Sequence, residues 1–264
     1  MVRWIDLGEA ALRYELAGAS GPLLLLLHEM GGSLESWDRV LPLLTPRCRV
    51  LRYDQRGAGL SERPRLPLTM PAQGNDAVAL LDALGLHEPV VVVGMAVGGA
   101  LALHLAAAHP GRVRGVVASS PATGVADSAR PALLARAEAM AQGGMRAVVD
   151  SGLESSYPVA MRTDPAAFAE VRASRLCASP AGQAATSRML AALDMTADLA
   201  SIACPTLILA AQHDLTRPPP RVKPVAEAIA GAEFRVVESG HFMAIQTPAL
   251  MAAAILGFLD TLPQ

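Results

Sequence analysis

Two uninterrupted apolar runs constrain this chain more than anything else in it. Leu23–Leu27 is five leucines in a row, and residues 89–93 are a proline followed by four valines. Short apolar runs bounded by turn residues read as buried strands. The first passes into His28-Glu29-Met30-Gly31-Gly32 and the second into Gly94-Met95-Ala96-Val97-Gly98-Gly99. Residues 12–17, Arg49–Tyr53, Val113–Ser119, Thr206–Ala211 and Glu233–Val237 read as further strands. Helical patterns fall between them at 34–44, 70–84, 100–109, 222–229 and 249–262. This alternation predicts an α/β fold, with a mostly parallel central sheet flanked by helices.

The alternation stops between Pro121 and Ala203. That stretch is rich in Ala, Arg, Met and Leu at helical spacing and is broken at Gly143-Gly144, Pro158, Pro165 and Pro180. It predicts a helical cap or lid, residues 121–203, inserted into a core made of residues 1–120 and 204–264. An insertion after a core strand commonly forms a lid over a site.

Composition narrows the function classes. Hydrophobic residues make up 52% of the 264 and charged residues 17%, which argues for a compact globular chain and against disorder. The formal net charge of −2 and the 3% of aromatic residues argue against nucleic acid as a partner. The apolar run at 22–27 is too short to span a membrane, and the N-terminus lacks the long apolar stretch of a signal peptide. Cys48, Cys177 and Cys204 are odd in number and widely spaced, which suggests neither a metal site nor a disulfide framework. A cytoplasmic protein with no cofactor is expected, as a monomer or homodimer.

The strongest local signal is Gly94-x-Ala96-x-Gly98 between a strand and a helix. The hydrolase motif G-x-S-x-G presents its nucleophile on such a sharp turn, between small residues, at a helix N-terminus. A dinucleotide-binding turn fits less well, because glycines at 94, 98 and 99 do not make G-x-G-x-x-G. Asp214 follows the strand Thr206–Ala211, and His241 follows Glu233–Val237. Elbow, acid and histidine thus come in the order an α/β-hydrolase requires, each just past the C-terminal end of a strand.

On these motifs, together with Asp54-Gln55-Arg56-Gly57-Ala58-Gly59-Leu60-Ser61, the chain resembles the α/β-hydrolase family over essentially its whole length. Within that family it is similar to the 3-oxoadipate enol-lactonase group, through residues 80–86 and 136–145. The resemblance implies Asp214 as the triad acid and His241 as the general base. It implies an oxyanion hole made by the backbone N–H groups of Met30 and Val97, with Asp54 and Arg56 bracing a loop. Many relatives have Gly where Glu29 stands, so Glu29 is either a salt-bridge residue or a substrate contact. Trp37, Met95, Met140, Met145, Tyr157 and Phe242 are candidate pocket walls. Of Arg136, Arg146, Arg162, Arg172, Arg175 and Arg188, one or two are expected to reach the pocket, where they would suit a small-molecule substrate bearing a carboxylate.

The departure from the family pattern is Ala96, since a methyl group cannot attack a carbonyl. Three readings follow. The chain is an inactive variant of an esterase- or lactonase-like hydrolase whose Ser or Cys nucleophile has been replaced by alanine. Alternatively, the alanine is natural and the chain is a native non-hydrolytic enzyme that uses His241 as a base with no covalent step, for proton abstraction or for activating water or dioxygen, as a cofactor-free dioxygenase-like enzyme would. Or it is a binding protein that has lost catalysis.

Overall fold

The computed structural model describes residues 1–65 and 67–263. Eight strands form one sheet: β1 (Val2–Asp6), β2 (Ala11–Ala17), β3 (Leu23–Leu27), β4 (Arg49–Tyr53), β5 (Val90–Met95), β6 (Val113–Ser119), β7 (Thr206–Ala211) and β8 (Glu233–Val237). Their spatial order is β1-β2-β4-β3-β5-β6-β7-β8. β2 runs antiparallel to both of its neighbours, and every other pairing is parallel.

Eleven α-helices are described: α1 (Leu41–Leu44), α2 (Met70–Ala83), α3 (Val97–Ala108), α4 (Arg130–Gly143), α5 (Val149–Ser156), α6 (Pro165–Cys177), α7 (Pro180–Ala191), α8 (Thr196–Ser201), α9 (Pro219–Glu227), α10 (Met243–Gln246) and α11 (Pro248–Thr261).

The leucine run is apolar throughout because the sheet is covered on both faces. Successive side chains of a strand point to opposite faces. Leu23, Leu25 and Leu27 pack with residues of α2, α3 and α9, while Leu24 and Leu26 pack with Trp37, Met251 and Ile255 on the other side. Parallel strands buried on both faces read as continuous apolar runs for this reason. Each fully buried leucine contributes about 1.5–3 kcal/mol.

Several boundaries differ from the sequence expectation. β1 had no sequence signal: it is an edge strand that buries almost nothing, with Trp4 60% exposed. Residues 34–44 do not form one helix. Asp54 Oδ1 accepts the Leu34 N–H at 2.7 Å, the chain makes a single tight turn at Leu34–Trp37, and α1 follows as a separate short helix. β5 runs on through Gly94 and Met95, and α3 begins at Val97, directly at the elbow.

Between β6 and β7 the chain is helical, as α4 through α8. Met140, Val149, Leu153, Tyr157 and Val171 form a cluster of their own with Phe242. α8 stands apart from it, since Leu199 and Ile202 join the main core.

Register fixes where the loops meet. Leu27 pairs with Gly94, Met95 with Ser119, Ser119 with Leu209, and Ala211 with Val237. The C-terminal ends of β3, β5, β6, β7 and β8 therefore lie side by side, where open α/β sheets gather their sites.

Candidate active site

The elbow is built from backbone constraints. Ala96 has φ +51°, a conformation that L-residues seldom adopt. Its N–H donates to Ser119 C=O at 2.9 Å, and its C=O accepts the Ala122 N–H at 2.9 Å and the Ala100 N–H at 3.0 Å. The flanking glycines are steric necessities. A Cβ at Gly94 would run into the Gly98 carbonyl, and one at Gly98 into the Leu27 and His28 carbonyls. Val97 is the first residue of α3, so its N–H has no partner within the helix.

The opposing loop after β3 is braced by His28. Its Nε2 accepts the Gln55 N–H at 3.0 Å, so Nδ1 carries the proton and donates to Glu29 C=O at 2.8 Å. The Gln55 side chain closes the brace by donating to His28 C=O at 2.7 Å. Asp54 and Arg56 are structural, as expected: Asp54 accepts the Leu34 and Leu60 N–H groups, and Arg56 pairs with Asp76.

His241 and Asp214 meet across the ends of β7 and β8, with His241 Nδ1 at 2.6 Å from Asp214 Oδ2. The other carboxylate oxygen accepts the Thr216 N–H at 2.8 Å and the Arg217 N–H at 2.9 Å. Burial pushes the Asp214 pKa up, but the hydrogen bond and charge of His241, with the Arg217 N–H, outweigh it and hold the carboxyl below its ordinary range. Asp214 is thus an anion with both oxygens engaged. His241 Nε2 has no hydrogen-bond partner among the described residues. Gln246 ties down the next residue, accepting the Phe242 N–H at 2.8 Å while donating to Ser156 C=O at 3.3 Å.

Ala96, Val97, Met30 and His241 all line one cavity of about 440 Å³, roofed by α4 and α5. Of the residues expected on its walls, Phe242, Met140 and Met145 line it. Trp37 and Met95 do not: both are fully buried on the opposite side of the sheet, where Met95 follows the alternation of β5 away from the cavity. Tyr157 is also turned away, packed edge-on against Phe168 at 5.2 Å between ring centroids.

Glu29 does not line the cavity either. It is fully buried beneath it and pairs with Arg175. Burial pushes the Glu29 carboxyl up, but the Arg175 charge and hydrogen bond prevail and hold it below its ordinary range. Arg175 also donates to Met30 C=O at 3.2 Å and lies 4.5 Å over the Phe242 ring. Of the six arginines named as candidates from the helical segment, two reach the cavity, Arg136 and Arg175. Two others were not anticipated. Arg217 and Arg221 line it from the loop after Asp214 and the start of α9. Their only sequence signal was nearness to the candidate acid.

A sequence profile described as the alpha/beta hydrolase fold matches residues 22–148. A protein named as a carbamate hydrolase, RutD, of Azorhizobium caulinodans is 31% identical, over 97% of this chain and 98% of its own length. A 3-oxoadipate enol-lactonase of Acinetobacter baylyi is 25% identical, over 94% of this chain and 92% of its own. The crystal structure of an enol-lactonase from Burkholderia xenovorans superposes with a TM-score of 0.92 at 26% identity, covering 98% of this chain and all of that one. Among the described residues no helix is long and apolar enough to cross a membrane. With sheet order, elbow and loop positions all of one pattern, this chain belongs to the α/β-hydrolase family.

Proposed function

We propose that the chain hydrolyses small carbonyl compounds, in the range of esters, enol-lactones and carbamates, with His241 as general base and Asp214 as its orienting partner. One observation carries the reading. His241, Ala96, Val97 and Met30 border one cavity, while Asp214 occupies His241 Nδ1 and Nε2 has no partner among the described residues. Relatives named as carbamate hydrolase and enol-lactonase, alike over nearly the full length, support the reaction class.

With a methyl group at residue 96, the direct route runs through water. His241 Nε2 takes a proton from a water molecule, and the water oxygen bonds to the substrate carbonyl carbon. The tetrahedral oxyanion rests on the N–H groups of Val97 and Met30. Collapse breaks the bond to the leaving group, which receives the proton back from His241. The helices from residue 121 to 203 act as the lid.

A second reading is favoured by the elbow itself. A non-glycine residue held at φ +51° costs on the order of 1–3 kcal/mol, which is well spent where a nucleophile must be presented. The chain is then the alanine variant of a Ser or Cys hydrolase.

One experiment separates the two. Turnover of a panel of methyl esters, enol-lactones and carbamates is measured for the chain as it stands, for His241→Ala, for Ala96→Ser and for Ala96→Cys. The water route predicts activity with Ala96 in place and a loss of about 10²–10⁴-fold in His241→Ala. The second reading predicts an inert parent and a burst of acyl-enzyme formation in Ala96→Ser or Ala96→Cys. Silence from all four sinks the hydrolase assignment and leaves a binding protein or a non-hydrolytic enzyme that uses His241 as a base.

A further inference from the structure

The loops that carry Asp214 and His241 are both tied to one end of α5. An α-helix leaves its last carbonyls without partners inside the helix. In α5 the Tyr157 N–H and the Arg162 side chain take Leu153 C=O. Ser155 C=O accepts the Leu215 N–H at 3.2 Å, and Ser156 C=O accepts a hydrogen bond from Gln246 Nε2 at 3.3 Å. Leu215 directly follows Asp214, and Gln246 ends α10, the single turn after His241. The Ser155 and Thr216 hydroxyls add a contact of 3.2 Å on the Asp214 side.

Gln246 touches the chain on both sides of His241. Its Oε1 accepts the Phe242 N–H at 2.8 Å, and its own backbone N–H donates to Phe242 C=O at 2.9 Å. The Phe242 N–H belongs to the planar peptide unit that leaves His241. Holding that unit limits the backbone torsion ψ of His241. On the other side, a Cβ at Gly240 would lie 2.7 Å from both Gln246 Nε2 and Oε1, so the amide packs directly against the residue before His241.

The two partners of the side chain call for an amide. The Phe242 N–H needs an acceptor and Ser156 C=O needs a donor, and the glutamine amide offers one of each. A carboxylate supplies only the first, and a leucine neither. Phe242 adds an apolar tie to the same region, because its ring packs in the cluster of Met140, Val149, Leu153 and Tyr157.

We propose that Gln246 is a positioning residue for the reaction: it fastens the peptide that leaves His241 to the C-terminal end of α5, and so keeps His241 Nδ1 on Asp214. That this serves hydrolysis rests on the hydrolase reading above; the fastening of His241 does not.

The test reads which ring nitrogen of His241 carries the proton. The whole chain is labelled with 15N-histidine and observed by NMR in mildly alkaline solution, with the His241 signals identified by their loss in His241→Ala. Asp214 on Nδ1 holds the parent in the Nδ1–H form, since the partner of one nitrogen sets the tautomer. Gln246→Leu loses both side-chain hydrogen bonds and should lower the ratio of Nδ1–H to Nε2–H about 10- to 100-fold. Gln246→Glu keeps the acceptor for Phe242 and gives up the donor to Ser156, and should lower it about 3- to 10-fold, the factor that one net hydrogen bond supplies. A general loss of stability would not move this ratio while the chain stays folded. If Gln246→Leu does not fold, Gln246→Glu, of the same size, decides. A parent-like ratio in either folded variant overturns the proposal. On a substrate that the parent turns over, Gln246→Leu should lower kcat about 10- to 100-fold and leave KM within about 3-fold, as a small misplacement of a reacting group does. The tautomer is read without turnover. A chain that hydrolyses nothing therefore sinks the hydrolase reading alone, and an unmoved tautomer sinks the role of Gln246 alone.

Discussion

The cavity wall that comes from the strand ends is held by backbone; the wall that comes from α4–α7 is held by side chains. At the elbow, Ala96 is fixed through its own N–H and C=O, and glycines at 94 and 98 let the chains approach. His28 and Asp214 likewise have partners that are mainly backbone N–H and C=O groups. On the helical side the ties are Arg175 to Glu29, Arg172 to Asp150 and Arg39 to Glu170. The last two are exposed pairs, a kind that contributes about 0–1 kcal/mol. Backbone ties hold whatever side chains the chain carries, whereas side-chain ties change with the sequence.

Glu29–Arg175 is the buried ion pair between the two walls among the described residues, so it is where the contrast breaks most visibly. Glu29→Gln should lower unfolding stability by about 3–5 kcal/mol, because it leaves the Arg175 charge buried without a partner. The double variant Glu29→Gln/Arg175→Met should recover much of that loss. Urea unfolding of the parent, the single variant and the double variant measures both. A negligible loss in the single variant would mean that the walls are held together elsewhere.

Acid should weaken both walls at once. Asp214 and Glu29 both have folded pKa values below the ordinary range. Each therefore binds fewer protons folded than unfolded near pH 4, and stability falls as the pH falls. Their contribution is present in full above the unfolded carboxylate values near 4 and is lost as the pH drops through the folded ones. Thermal unfolding followed between pH 7 and pH 3 should show a decline confined to the acid end. Glu29→Gln should flatten it.

The smallest effect belongs to the elbow. Ala96→Gly gives the positive φ to a residue that tolerates it, and should stabilise the chain by about 1 kcal/mol after the added backbone entropy of glycine is subtracted. A loss of stability by calorimetry would mean that Ala96 is not strained.

Much of the strand-end wall was legible in the sequence, and little of the helical one. Leu23–Leu27, the elbow glycines, and the order of Ala96, Asp214 and His241 all express requirements met within a few residues: buried strands need apolar runs, and sharp turns need small residues. The wall residues were less readable. Trp37, Met95 and Tyr157 have the size of pocket linings but face other layers, and β1 carries no apolar pattern at all because it lies at an edge.

The sequence by itself determined an α/β sheet with a glycine-flanked strand-to-helix turn at Ala96, because those features rest on local backbone sterics and on burial of contiguous side chains. Only the tertiary structure decided that Glu29 is held by Arg175, 146 residues away, and that Arg217 borders the cavity with no ion pair among the described residues. Such pairings depend on where separate elements dock, and docking is set by the packing of whole faces rather than by any stretch of chain.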